Sequence, residues 1–264
     1  MEKFKLGFSP CPNDTFIFHA ITHSLVDTGR LSFETVITDV EELNRMAVNL
    51  ETDITKLSFH AYLKLREKYA LLSSGSALGF GCGPLVVSKG HVISGRSLIA
   101  VPGELTTACL LLKLWMPDAE NLVFTRFDNI IPGVASGKFD AGVIIHEGRF
   151  IYHQWKLEKI IDLGEWWENE TGSPIPLGCI AVKRSLGEEV KRGVESAIRS
   201  SVEYAFSHRD ASRRFIKEHA REMDDDVIDS HIALYVNDFS IDLGERGMAA
   251  VEKLESMARA RGII

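Results

Sequence analysis

The sequence predicts an α/β protein of two lobes with a central cleft. Three observations carry that reading. Short apolar, β-branched runs alternate with amphipathic helical segments, the pattern of an α/β chain. Two apolar stretches, near 85–95 and 173–180, are placed to take the chain into a second lobe and back. They divide it into 1–88 plus 178–264 and an inserted lobe, 95–172. The third observation is the run Ala141-Gly-Val-Ile-Ile145, which is apolar on both faces, as a buried parallel strand is, and which stops abruptly in His146-Glu-Gly-Arg149. Lobes joined by two strands enclose a crevice where a small molecule binds, and closure excludes water from it.

Bulk properties narrow the function. At 264 residues the chain can bury a large core, and 45% hydrophobic with 25% charged residues is ordinary for a globular protein. The net charge is −7, and no cluster of lysine or arginine marks a nucleic-acid surface. Cys11, Cys82, Cys109 and Cys179 form no CxxC pair, so neither zinc nor a disulfide framework is indicated; free thiols suit a reducing cytosol. The histidines show no spacing such as HExxH, and no metal is expected. Met1 to Phe8 runs straight into a strand pattern, without a long apolar signal, and no later run is long enough to cross a membrane. A cytoplasmic protein without nucleic-acid or membrane partners is expected.

The elements follow in order. Lys3–Ser9 alternates as a strand and ends in Ser9-Pro-Cys-Pro-Asn-Asp14, where two prolines stiffen a turn and Asp14 suits the N-cap of the next helix. Leu31–Thr38 is a second strand. Asp39 caps a helix through Val48, with Glu41 and Glu42 where the helix dipole favours negative charge. Asp53–Leu57 is a strand, and Ser58 opens a helix to about Tyr69. Four glycines make Leu72–Pro84 a loop, but it has neither GxGxxG nor a P-loop lysine. Pro84–Ser88 and Ser97–Val101 are strands, and Thr106-Thr107-Ala108 opens the helix Cys109–Trp115. Leu122–Thr125 is a strand and Asn129–Ser136 a short helix with Gly137 past its end. Lys159–Leu163 is a strand, and Glu165–Glu168 begins an irregular aromatic segment. Leu177–Val182 returns the chain, and everything after Gly187 is helical.

Four strand-to-helix junctions bring polar groups together: Ser9 to Asp14, Thr55 to Ser58, Gly103 to Ala108, and His146 to Arg149. Carboxyl ends of strands in open α/β sheets line the ligand crevice. Ser58 and Thr106-Thr107 each set a hydroxyl beside the free N–H groups of a first helical turn, an arrangement that binds carboxylate or phosphate as well as serving as ordinary capping. His146 suits a general base, with Glu147 or a backbone carbonyl fixing its tautomer. The plain alternative is a strand-end histidine satisfied by the backbone. Arg149 either meets a substrate anion or pairs with an acid, the commoner outcome. Lys56 either contacts an anion or snorkels to water. Ser9, Cys11, Asn13, Thr106, Glu147 and Arg149 are candidate cleft residues, and Cys11 lacks an activating base. Trp166 and Trp167 read as packing.

In combination these blocks are specific. Ser9-Pro-Cys-Pro-Asn-Asp-Thr-Phe-Ile-Phe18, Thr55-Lys-Leu-Ser58, Gly79-Phe-Gly-Cys-Gly-Pro-Leu-Val-Val87, Thr106-Thr-Ala108, Ile144-Ile-His-Glu-Gly-Arg149, Pro174-Ile-Pro-Leu-Gly178 and Tyr235-Val-Asn-Asp-Phe-Ser240 occur in this order along the chain. The sequence resembles the 1,4-dihydroxy-6-naphthoate synthases of the futalosine route to menaquinone. The resemblance implies a periplasmic-binding-protein-like fold of type II used as a cytoplasmic enzyme. It implies a lyase that converts cyclic dehypoxanthinylfutalosine to 1,4-dihydroxy-6-naphthoate with release of dihydroxyacetone, without a cofactor. It also implies His146 as base and ligand contacts at Lys56, Leu57, Ser58, Thr107 and Ala108. A small-molecule carboxylate is the expected partner, and a homodimer is compatible with the sequence. The alternatives are a small-anion binding module of the same fold and the sister chorismate dehydratase.

Overall fold

The computed structural model describes residues 2–90, 92–220 and 224–264; His91, in the first candidate crossover, lies outside them. The chain opens with β1 (Glu2–Phe8), α1 (Pro12–Thr22), β2 (Leu31–Ile37), α2 (Val40–Val48), β3 (Ile54–Ser58), α3 (Phe59–Leu65), β4 (Tyr69–Leu71) and β5 (Ala77–Gly79). It continues with β6 (Leu85–Ser88), β7 (Ile99–Val101), α4 (Thr107–Trp115), β8 (Leu122–Phe124), α5 (Ile130–Ala135), β9 (Ala141–Ile144), α6 (Gly148–Ile151), β10 (Glu158–Asp162) and α7 (Leu163–Thr171). It closes with β11 (Ile175–Lys183), α8 (Gly187–Ser207), α9 (Arg213–His219), α10 (Asp225–Tyr235), α11 (Asp238–Ile241) and α12 (Gly244–Ala260).

Two mixed sheets result. The first runs β2-β1-β3-β11-β4, with β5 also paired to β11; the second runs β10-β6-β9-β7-β8. In the first, β1 is parallel to β2 and β3, while β11 is antiparallel to β3, β4 and β5. In the second, β9 is parallel to β7 and antiparallel to β6. The apolar run at 141–144 is therefore central and fully buried, as its two apolar faces require, but only one of its neighbours is parallel. The sheet assignment also puts β6 with the second sheet.

Local chemistry explains the element ends. Asp39 accepts from the N–H of Glu41 and caps α2. α1 begins earlier than the capping reading expects: Pro12 takes the first helical position, where its fixed φ and missing N–H cost nothing, and Cys11 is the N-cap. Asp14 thus lies inside the first turn, free to bond elsewhere. α3 stops at Leu65, short of Tyr69, whose backbone opens β4. The segment expected to be irregular and aromatic is instead α7. Asp162 accepts from the N–H groups of Gly164 and Glu165 at its start, and Gly172, at φ +66°, ends it in the left-handed conformation. Trp167 is fully buried and its Nε1 donates to the Pro174 carbonyl, so the indole is core.

One core cluster joins the two sheets. It takes Phe59 and Leu63 from α3, Leu110 and Leu111 from α4, Trp167 from α7 and Leu254 from α12. A second lies under β1 against α1 and α8, and a third lies between the second sheet and α5. The strand ends that carry the polar junctions are held between these clusters.

Candidate active site

Between the sheets lies a cleft of about 640 Å³, solvent mouth included. Its lining takes Ser9 and Asn13 from the β1–α1 junction, Lys56 and Ser58 from the end of β3, Thr106–Ala108 from the start of α4, and His146 from beyond β9. Leu177 and Gly178 of β11, Tyr235 of α10 and Cys82 of the loop after β5 also line it. All four polar junctions therefore contribute to one crevice.

The first wall is organised by Asp14. Its Oδ2 accepts from the N–H and hydroxyl of Ser9 at 3.1 and 2.6 Å. Its Oδ1 accepts from Asn13 Nδ2 and Lys56 Nζ, each at 2.8 Å. Lys56 is buried rather than snorkelling to water, because this carboxylate supplies the partner that a buried ammonium needs. Ser58 stands at the N-cap of α3 but makes no capping bond with its side chain. Instead Asn44 of α2 holds it from both sides, accepting from its N–H at 3.0 Å and donating to its Oγ at 3.1 Å.

The second wall is the start of α4. Thr106 Oγ1 accepts from the N–H of Cys109 at 3.2 Å, a true N-cap. Thr107 Oγ1 donates to the Leu177 carbonyl at 2.7 Å and accepts from the N–H of His60 at 3.3 Å, so this hydroxyl ties the wall together. The helical ladder begins beyond them, with the N–H of Leu110 bonded to the Thr106 carbonyl. The N–H groups of Thr107 and Ala108 precede that ladder. Behind this wall, Glu41 of α2 accepts from the N–H of Leu105 at 3.2 Å. Burial raises the Glu41 carboxyl above its usual range, an effect partly offset by its bonds to Asn44 and Leu105.

His146 sits two residues past β9 with φ +55°, a left-handed backbone that a non-glycine residue adopts only under constraint. Its ring meets Phe127 edge-on at 5.3 Å and lies nearly parallel to the ring of His231, with centroids 6.1 Å apart. Nε2 is buried and has no hydrogen-bond partner among the described residues. The expected tautomer-fixing bond from Glu147 or a carbonyl is not formed there. Glu147 lines a separate pocket with Phe127, Ile131 and Trp155. Arg149 bonds Asp162 and the Gly83 carbonyl, the structural outcome, and ties the His146 turn to the loop after β5. Leu57 is core, and Cys11 is buried but does not line the cleft. Burial, then the negative charges of Glu147 and Asp14, push the Cys11 thiol well above its usual pKa, so it is no ready nucleophile.

Asp14, Asn44, Tyr235 and His231 are functional-site residues that the sequence patterns do not mark as such. His231 had a signal: Ile228, His231, Ile232 and Tyr235 share one buried stripe of α10, and a polar residue on such a stripe needs a partner. Among the described residues no group of three His, Cys, Asp or Glu could hold a metal ion, and no helix is long and apolar enough to cross a membrane.

The chain matches known proteins along nearly its whole length. Residues 4–260 match the profile of a family described as menaquinone biosynthesis. A 1,4-dihydroxy-6-naphthoate synthase of Thermus thermophilus is 47% identical, covering all of this chain and 96% of the relative. One from Streptomyces coelicolor is 43% identical, covering all of this chain and 95% of the relative. A crystal structure of an Archaeoglobus fulgidus protein superposes with a TM-score of 0.94 at 40% identity, covering 99% of this chain and 98% of the other. A Candida albicans gene product described as having the generic periplasmic binding protein fold gives a TM-score of 0.69 at 14% identity, covering all of this chain and 91% of the other, a likeness of fold alone. The chain therefore has a periplasmic-binding-protein-like α/β fold and belongs to the menaquinone biosynthesis family.

Proposed function

We propose that the protein is a carbon–carbon lyase that converts cyclic dehypoxanthinylfutalosine to 1,4-dihydroxy-6-naphthoate with release of dihydroxyacetone. The single observation that carries this reading is His146. A buried imidazole nitrogen without a partner stands at a cleft that the start of α4 also lines. Full-length similarity to two proteins named as 1,4-dihydroxy-6-naphthoate synthases supports the product.

The residues divide the work as follows. The substrate carboxylate lies at the N–H groups of Thr107 and Ala108, where the positive end of α4 and its unbonded donors favour an anion. Ser58, held by Asn44, contacts the ligand from the other wall. Lys56 shapes that wall as half of an ion pair and contributes to the local field rather than acting as a lone cation. His146 removes the proton whose loss lets the carbon–carbon bond break toward an aromatic product. Aromatisation supplies much of the driving force, so a base, orientation and exclusion of water suffice for a rate. Closure takes place between the lobes that the sequence divides as 1–88 plus 178–264 and 95–172, with β6 moving with the second sheet, to which it is paired. Four buried cysteines without a disulfide support a cytoplasmic setting.

The test is direct. The purified protein is incubated with cyclic dehypoxanthinylfutalosine, with chorismate, and with simple dicarboxylates. The naphthoate chromophore appears only with the first. Turnover of chorismate would assign the sister dehydratase, and tight binding of an anion without turnover of either substrate would leave a binding module.

A further inference from the structure

Behind the proposed base stands a second histidine that the reaction as written does not use. His231 is fully buried on α10, which packs on α1 and β5 beside the first sheet. His146 follows β9 of the second sheet. The near-parallel rings, 17° apart in plane, therefore join an element beside the first sheet to one that follows the second, at the edge of the cleft. Phe150 of α6, at 6.5 Å, encloses the His231 ring from the second wall, and Tyr235, at 4.7 Å, encloses it from its own helix.

Hydrogen-bond direction sets the tautomer of His231. Asn13 Nδ2 donates to Asp14 Oδ1, an oxygen that also receives the Lys56 ammonium. Turning the amide over would set a carbonyl oxygen 2.8 Å from a carboxylate oxygen, so Asn13 presents its Oδ1 to His231. His231 Nε2, 2.9 Å from that oxygen, must therefore carry the proton and donate. Nδ1 is left as a bare, buried lone pair. Burial first, then the charges of His146 and Lys56, hold the ring well below the usual histidine pKa and so neutral.

We propose that His231 is a positioning residue for the base. It is a neutral imidazole protonated at Nε2, anchored through Asn13 to the Asp14–Lys56 pair, and His146 is aligned against it where the two walls meet. A ring on a left-handed backbone without a bond at Nε2 has little else to hold it, apart from the edge of Phe127. A neutral neighbour also lets His146 take up a proton without like-charge repulsion at 6.1 Å. The inference rests on the reading of His146 as the base.

The experiment compares the parent with His231→Leu, His231→Gln and His146→Ala by steady-state kinetics and melting. It adds nitrogen-15 spectra of the histidine rings between pH 6 and 9. Leucine fills space but cannot donate; glutamine restores a donor toward Asn13. His231→Leu should lower kcat about 10- to 100-fold, the scale of a misplaced reacting group, with KM within about threefold. His231→Gln should recover most of that loss. The parent spectra should show His231 as one neutral, Nε2-protonated form throughout. Parent-like kcat in His231→Leu, a loss confined to KM or melting temperature, or a His231 ring that titrates or carries its proton at Nδ1 would each overturn the proposal. If the leucine variant does not fold, the parent spectra and the glutamine variant decide. Parent-like turnover by His146→Ala would instead remove the base itself. An inactive His146→Ala beside an unimpaired His231→Leu would remove only this inference.

Discussion

Asp14 and Lys56 form an ion pair of 2.8 Å with side chains 1% and 6% exposed, at the floor of the cleft. Burying either charge alone is expensive, and the pair is tolerable because each neutralises the other and Ser9 and Asn13 satisfy the remaining carboxylate positions. Asp14→Asn strands the ammonium and should destabilise the fold by roughly 3–5 kcal/mol. Thermal denaturation of Asp14→Asn, Lys56→Met and the double variant checks this as a cycle. The double variant should recover part of the loss, and simple additivity would deny the coupling.

His146 supports two separable expectations. His146→Ala should lower kcat by about a hundred- to ten-thousand-fold while the protein still folds and binds product. His146→Gly should be just as inactive but more stable than His146→Ala by about 1 kcal/mol, because glycine adopts φ +55° without strain. Paired melting curves and turnover assays separate the two effects. Equal stability of the two variants would deny the strain.

Thr107 joins α3, α4 and β11 through one hydroxyl. Thr107→Val removes a donor and an acceptor together and leaves the His60 N–H and Leu177 carbonyl without that partner. A stability loss of about 2 kcal/mol is expected, read by chemical denaturation, along with a raised KM if the wall shifts.

The pH dependence of stability follows from His60. Its Nδ1 lies 3.2 Å from the Thr106 carbonyl, and burial, then Lys64, lowers its pKa to about 4. The unfolded chain titrates near 6.5 and so binds the proton first as pH falls. Stability should therefore decline between pH 6.5 and about 4, by about 3 kcal/mol from this group if it acts alone. His231 acts in the same direction. His60→Asn keeps a donor near the Nδ1 position and removes the titration. Denaturation at pH 4, 5, 6 and 7 should show a shallower slope in that variant.

Much of the site is legible from where patterns stop. The apolar run at 141–145 ends in His146, and the starts of α3 and α4 are marked by Ser58 and Thr106, so a crevice lined by these ends could be anticipated. The structure departs from that reading where the deciding partner is distant in the chain. Lys56 looks like a lysine bound for water until Asp14, 42 residues earlier, is folded against it. His231 and Asn13 are 218 residues apart. Asp14 could be read as a cap because the start of a helix can shift by three residues without altering its periodicity, and Pro12 decides the matter. In α7 the adjacent tryptophans carry no helical periodicity of their own, and the helix is marked instead by Asp162 and Gly172, ordinary start and stop signals on either side.

The four cysteines, all buried and unbridged, give the molecule a built-in reporter of its own opening. Burial drives the Cys82 thiol up to about 12 and that of Cys109 to about 11, so neither offers appreciable thiolate to an alkylating dye while the chain is folded. Labelling is then gated by exposure. A dye that reaches Cys82 beside the cleft first would register parting of the walls, whereas simultaneous labelling of all four would register cooperative loss of the fold. The same shielding spares the thiols from peroxide, and the chain keeps its sulfur chemistry dormant for as long as it stays native.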